Sequence, residues 1–347
     1  MKIEKFGLVV LCILLSIVSC KKDDKADEPT PVELRDRIEQ QKADNDSLVK
    51  YLNNHYYNSE VLAGLEDPSI TDIVITKLED GETLPDGHTI LMDVVETKDV
   101  VYADTDYQFY ILRLNQGGGI ESPTFADTAR LLYEGFLFDG SVFDGASTPV
   151  DFDLVNLIPG WRKVVPTFNV AESFAEVGDG TVDYKNTGLG VMFLPSGLAY
   201  FGSSQGGIPA YSPLIFKFEL LQAFEKDHDS DGIPSYLEDL NGDGEFTVNA
   251  KDLTDDTDDD TDGDSIPDYF DNDDDGDGIL TIDEIETKTY DNDGMGYATR
   301  EEVESLSLAP NEVLIKIVKE SNGTYTGNSV IFTDTDNDGT ADYLDAE

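Results

Sequence analysis

Two sets of residues in this 347-residue sequence could do chemistry, and they are opposite in kind. In the C-terminal third, aspartates recur at alternate positions, most completely at Asp273, Asp275 and Asp277, where Gly278, Ile279 and Glu284 complete a twelve-residue loop. Oxygen donors in that spacing, with a glycine at the sixth place and a carboxylate at the twelfth, suit Ca²⁺ rather than zinc. The spacing recurs with relaxed ends at Asp227, Asp229, Asp231 and Glu238; at Asp260, Asp262, Asp264 and Asp271; and at Asp334, Asp336, Asp338 and Asp345. Asp239, Asn241, Asp243 and Gly244 begin another, but Ala250 stands where the closing carboxylate belongs. The second set is apolar: the stretch Tyr133 to Asp144, the only Trp at 161, Tyr200, Ile208 and Phe216. These aromatics are expected to converge on one concave apolar pocket, and the three histidines are scattered and offer no triad.

Periodicity names the elements that must position both sets. Leu131 to Phe138 reads as a strand, Asp139-Gly140 as a tight turn, and the residues ending in Phe143 and Asp144 as a short return strand. Tyr107 to Leu112 and Leu214 to Leu221 are further β-rich runs, and Asn169 to Asn186 reads as an acidic insertion without apolar periodicity. Before them, Val32 to Tyr57 has helical spacing, with Leu34 and Ile38, then Leu48, Leu52 and Tyr56 on one stripe after an Asp46 cap. Residues 32–104 therefore form an N-terminal helical and mixed region, 105–224 a mostly β domain, and 225–347 an acidic region of loops. The fold class is α+β.

Charge divides the chain unevenly. The formal net charge is −50, and from Glu225 onward 38 acidic residues face only 6 basic ones. Such a surface repels nucleic acid and attracts cations. Lys2 and Lys5 precede an apolar run, Phe6 to Val18, too short for a comfortable membrane span, so residues 1–20 read as an export signal and 21–31 as a polar linker. Both cysteines, Cys12 and Cys20, fall inside that segment, which leaves no intrachain disulfide for the mature chain.

Four resemblances follow. Ile17-Val18-Ser19-Cys20 resembles a bacterial lipobox, which implies cleavage before Cys20 and lipidation there, and Lys21-Lys22-Asp23-Asp24 resembles the charged tag of lipoproteins sent to the outer membrane, which implies attachment on its periplasmic or outer face. The acidic runs, followed by Ile-Pro-Ser-Tyr, Ile-Pro-Asp-Tyr or Thr-Ala-Asp-Tyr, resemble EF-hand loops and thrombospondin type-3 repeats, in which Ca²⁺ takes the place of a hydrophobic core. Tyr133-Glu-Gly, Gly160-Trp161, Ala199-Tyr200 and Phe216-Lys-Phe-Glu-Leu-Leu, in this order, resemble the FKBP-type peptidyl-prolyl isomerases.

That last resemblance implies a curved antiparallel sheet around one short helix beginning near Leu157 to Trp161, and a pocket lined by Tyr133, Phe143, Asp144, Leu157, Ile158, Trp161, Tyr200, Ile208 and Phe216. The substrate would be a proline-containing polypeptide, and catalysis would need no cofactor. In the family, the Ile158 N–H and Tyr200 hydroxyl positions hold substrate carbonyls, while Asp144 and Tyr133 form a polar wall. The chain departs from the pattern at Val150, where an aromatic is expected, in Ser203 to Gly207, which lacks the usual aromatic or His, and by one residue added within Pro195 to Leu198. A domain that holds proline-bearing segments without turning them over is the competing expectation. The sequence does not specify an oligomeric state.

Overall fold

The computed structural model describes residues 34–346, so the export signal, Cys20 and the linker lie outside the described residues. No helix among the described residues is long and apolar enough to cross a membrane. From Arg35 onward the chain forms one unit.

The first helix, α1 (Arg37–Asn53), starts at Asp36, whose side chain accepts the Glu39 N–H at 2.9 Å. This corrects the expected cap: Asp46 lies inside the helix, and Leu34 and Ile38 are exposed. The physical reason is that the inward face of the first turns is polar. Asp44 is buried and accepts from the Ser196 N–H at 2.8 Å, the Ser196 hydroxyl at 2.6 Å and Gln40 at 2.7 Å, so hydrogen bonds rather than apolar contact dock this half. Leu48 and Leu52 supply the apolar half, while Tyr56 belongs to a strand.

A small sheet follows, built from β1 (His55–Tyr57), β2 (Ile75–Lys77) and β3 (Thr89–Ile90), with α2 (Ser59–Ala63) between the first two. The main sheet contains β4 (Glu96–Tyr102), β5 (Thr105–Asn115), β6 (Thr128–Phe136) and β7 (Val142–Asp153). After α3 (Pro159–Val164) and a two-stranded hairpin, β8 (Ser173–Val177) with β9 (Thr181–Lys185), it is completed by β10 (Gly188–Leu194) and β11 (Leu214–Phe224). Its order is β4-β5-β10-β11-β6-β7, with every neighbouring pair antiparallel. Three expectations change here. The sheet takes in β4, inside the range 32–104; β7 is far longer than a short return strand; and the acidic insertion is itself a hairpin.

The middle of this sheet is covered on both faces, which explains why β10 is buried at every residue. Along β10 the side chains alternate: Met192 and Leu194 face a cluster with Trp161, Phe216, Phe218 and Phe168, whereas Leu189, Val191 and Phe193 face one with Leu48, Leu52 and Ile215. Helix α3 enters the first cluster through Gly160, since a Cβ there would collide with Leu194. Pro159 at its first position fits, because the N–H that proline lacks has no helical partner there.

Beyond β11 the chain is loop-rich as far as α4 (Thr281–Glu284). It then forms β12 (Ile285–Tyr290), α5 (Arg300–Glu304), β13 (Glu312–Lys319) and β14 (Tyr325–Phe332), a three-stranded sheet in the order β12-β14-β13. Ile233, Ile285, Val330 and Tyr343 give it a small apolar core. The expectation of loops stabilised by cations alone is thus incomplete, since the apolar runs of β13 and β14 build a sheet.

Candidate functional site

Where β6 and β7 meet α3, the front face of the main sheet opens into a cleft of about 180 Å³. All nine residues expected to line a pocket do so: Tyr133, Phe143, Asp144, Leu157, Ile158, Trp161, Tyr200, Ile208 and Phe216. Trp161 is the floor. It is buried, and its ring centroid lies 5.1 Å from Phe216, 5.9 Å from Tyr133 and 6.0 Å from both Phe152 and Phe218, all at steep interplanar angles. Edge-to-face contacts of this kind are attractive through the ring quadrupoles and fix the indole's orientation. Phe143 meets Phe216 edge-on at 5.4 Å, in space left open by Gly135, where any Cβ would strike both rings.

Sequence reasoning missed Phe152, Gln205 and Gly206, which also line the cleft. Phe152 matters most. Val150 is only half-buried, but Phe152, two residues further along β7 and therefore on the same face, lies 5.1 Å from Tyr133 and takes up the aromatic role that Val150 leaves. Counting in twos from Val150 along the strand would have found it.

The polar groups sit at the rim. Tyr133 Oη donates to Asp144 Oδ2 at 2.7 Å, and the Gly145 N–H donates to Asp144 Oδ1 at 2.9 Å. Asp144 is exposed, not enclosed among aromatics. Burial, and then the Asp144 carboxylate, push the Tyr133 phenol well above its ordinary pKa, and Tyr200 is raised in the same way. Both therefore remain neutral donors at physiological pH. Among the described residues, neither the Ile158 N–H nor the Tyr200 hydroxyl is spent on an internal acceptor. The cleft thus offers an apolar seat, two free donors and one carboxylate at the rim. It can hold and orient an amide, and it contains no group placed to attack one.

Residues 119–221 match the family model of the FKBP-type peptidyl-prolyl cis-trans isomerase. The cleft lies inside that match. The chain is similar to the FKBP-type peptidyl-prolyl cis-trans isomerase FkpA of Aeromonas hydrophila, at 30% identity over 143 residues, covering 40% of this chain and 46% of the relative. It is 31% identical over 127 residues to FkpA of Escherichia coli K12, covering 36% of this chain and 40% of the relative. The crystal structure of FkpA from Escherichia coli covers 33% of this chain and 47% of that chain, at 29% identity and a TM-score of 0.28. The chain therefore spans less than half the length of these relatives. Residues 228–297 match a second model, described as BamM C-terminal.

The acidic region repeats one loop geometry. The first aspartate of each run folds back to cap its own loop: Asp227 accepts from the N–H groups of Ser230 and Gly232, Asp239 from Gly242 and Gly244, Asp260 from Gly263 and Ser265, and Asp334 from Asn337 and Gly339. These fourth and sixth positions all have positive φ, as do Gly276 and Gly278, which explains their Gly, Asn and Ser content.

Carboxylate oxygens come within 4.8 Å of one another in four groups: Asp260, Asp262 and Asp264; Asp273, Asp275 and Asp277; Asp334, Asp336 and Asp338; and Asp229, Asp231 and Glu238 together with Asp274. The expected side-chain ligands Asp227, Asp271, Glu284 and Asp345 stand outside these groups, whereas Ile279, at the seventh place of its loop, would contribute a backbone carbonyl and has no part in the grouping. Asp227 caps its loop, Asp271 accepts the Asp273 N–H at 3.1 Å, and the Ile279 N–H donates to Asp277 at 2.6 Å. Burial, then the charges of Asp275 and Asp277, push Glu284 up to about 7, and desolvation with Asp338 and Asp336 raises Asp345, so both carboxyls feel their loops. Asp274 was missed, because it falls between two positions of the repeat.

The two halves of the chain touch at α3. Glu245, in the incomplete loop that begins at Asp239, lies 2.7 Å from Arg162 and 2.9 Å from Lys163, the two residues after Trp161. Phe246 stacks on Tyr269 at 4.0 Å and approaches Phe125 at 5.2 Å, and His228 lies 3.2 Å from Asp153 at the end of β7.

Proposed function

We propose that this protein is a peptidyl-prolyl cis-trans isomerase acting on X-Pro bonds of envelope or secreted polypeptides. The observation that carries the reading is the Trp161 floor framed by Tyr133, Phe152 and Phe216, with Tyr200 and the Ile158 N–H free at its edge. Rotation about an X-Pro bond must cross a barrier of roughly 18–20 kcal/mol because the amide gives up its resonance. A pyrrolidine ring seated on Trp161 leaves water, and the dry surroundings favour the twisted amide, which is less polar than the planar one. The Tyr200 hydroxyl and Ile158 N–H hold the flanking carbonyls, so rotation takes place about a positioned bond. Asp144, fixed by Tyr133, gives the rim its charge. No step calls for a cofactor.

Around this activity we place a lipid at Cys20 that tethers the chain to the outer membrane, and Ca²⁺ in the acidic loops as a structural ion. Support for the ion comes from the all-oxygen donor set and the recurrent loop geometry.

The test is a protease-coupled prolyl-peptide assay on the full chain, with and without Ca²⁺. Acceleration that falls in Asp144→Ala and Tyr200→Phe supports the enzyme. A rate equal to background with peptide binding intact would replace it with a holding module, the outcome that Val150, where an aromatic is expected, would favour.

A further inference from the structure

We propose that Asp229, Asp231, Glu238 and Asp274 form one buried calcium site that joins two separate acidic loops. It rests in part on the calcium reading above, but differs from it in taking a ligand from outside the repeat.

Oxygens of all four side chains lie within 4.8 Å of one another. Calcium binds oxygen at about 2.3–2.6 Å, so donors on opposite sides of the ion stand up to about 4.6–5.2 Å apart, and the group fits inside that shell. Burial is the second, independent observation. Glu238 is 0% exposed, and Asp231 and Asp274 are 1% exposed. Both oxygens of Glu238, both of Asp274, and one each of Asp229 and Asp231 have no hydrogen-bond partner. Buried carboxylates are normally paired or bound to a metal, because an uncompensated one loses its hydration without return. Four that converge with their free oxygens toward one point are organised for a cation. The absence of nitrogen or sulfur donors selects a hard ion.

Asp274 gives the site its character. Its neighbours Asp273 and Asp275 group with Asp277 in their own loop, while Asp274, between them, joins the cluster 36–45 residues earlier in the chain. Its N–H is held by the buried Thr281 hydroxyl at 3.3 Å. The three consecutive aspartates are thus divided between two ions. An ion held here fastens the loop after β11 to the loop before α4.

Calcium bound per full chain is counted by native mass spectrometry and calorimetric titration in the wild type, Asp274→Asn, Glu238→Gln and Asp277→Asn. The expected result is one ion fewer, or one affinity weakened at least 100-fold, in each variant, with Asp274→Asn combined with Asp277→Asn losing two. Wild-type stoichiometry and affinity in Asp274→Asn would overturn the proposal; if Glu238→Gln still loses an ion, the loop reading survives alone. A wild-type chain that binds no calcium at millimolar concentration overturns both. Should Asp274→Asn fail to fold, anomalous diffraction from Tb³⁺-loaded wild-type crystals decides: a peak touching both Glu238 and Asp274 supports the shared site, and a peak touching Glu238 alone or no peak rejects it.

Discussion

Glu245 Oε2 lies 2.7 Å from Arg162 Nη2, and this pair, with Lys163 at 2.9 Å, ties the acidic region to the helix that carries the pocket floor. All three side chains are less than one-fifth exposed. Removing the single carboxylate would leave Arg162 without its counter-charge and Lys163 with only the carbonyls of Asp243 and Gly244, which is more damaging than losing a surface pair. Glu245→Ala is expected to destabilise the chain by about 3–5 kcal/mol in chemical unfolding. It should also lower kcat/KM for prolyl peptides, because α3 loses its outer anchor. An unfolding midpoint at the wild-type value would contradict the anchoring role.

Asp144 separates function from stability. It is exposed and is held by only Tyr133 and the Gly145 N–H, so Asp144→Ala should cost less than about 1 kcal/mol of stability, while kcat/KM falls about tenfold, equivalent to roughly 1.4 kcal/mol. Loss of stability with catalysis unchanged would mean that the rim carboxylate is structural only.

Phe152→Ala removes an aromatic that packs on both Tyr133 and Trp161. The expected cost is about 3 kcal/mol or more in stability. Emission from Trp161, the only tryptophan, should shift to the red as water reaches its ring. Val150→Phe, by contrast, should leave the emission close to that of the wild type, because Phe152 already covers that side.

The C-terminal sheet carries its own pH signature. The Glu312 carboxylate accepts from Ser329 at 2.6 Å and Tyr290 at 2.7 Å, and these bonds hold its pKa down to about 2. A depressed folded pKa stabilises the fold above the unfolded value, and that contribution is lost as pH falls through the folded one. The stability difference between wild type and Glu312→Gln is therefore expected to be full at pH 7, to shrink below about pH 4.5, and to vanish near pH 2. Hydrogen exchange in β12–β14, measured in chelator, tests it. A difference that does not change across that range would break the link to Glu312.

How much of this was legible in the sequence depended on whether the signal was local. The glycines and aspartates of the acidic loops are local, since each loop closes on its own backbone, so their spacing could be read directly. The pocket residues are spread over β6, β7, α3, β11 and the loops before α3 and before β11, and became readable only through the order of short motifs that each mean little alone. Asp274 and Glu245 could not be read at all, because their partners lie 36 residues or more and 82–83 residues away and no periodicity marks a contact of that length. The cap at Asp36 is invisible to apolar spacing, because the inward face of the turns it starts is polar: Asp44 docks on Ser196 and Gln40 bonds Asp44.

The position of β10 between β5 and β11 bears on how the isomerase-like region could be isolated. A fragment cut to residues 119–221, the span matched to the family model, would lack β5, α1 and α2. Its β10 would become an open edge offering unpaired N–H and C=O groups, beside a bare patch formed by Leu189, Val191, Phe193 and Ile215. Edges of that kind template strand addition between copies. The shortest stretch that keeps this edge and this patch covered therefore begins upstream of α1, and a fragment trimmed to the homology boundary is expected to self-associate into sheets.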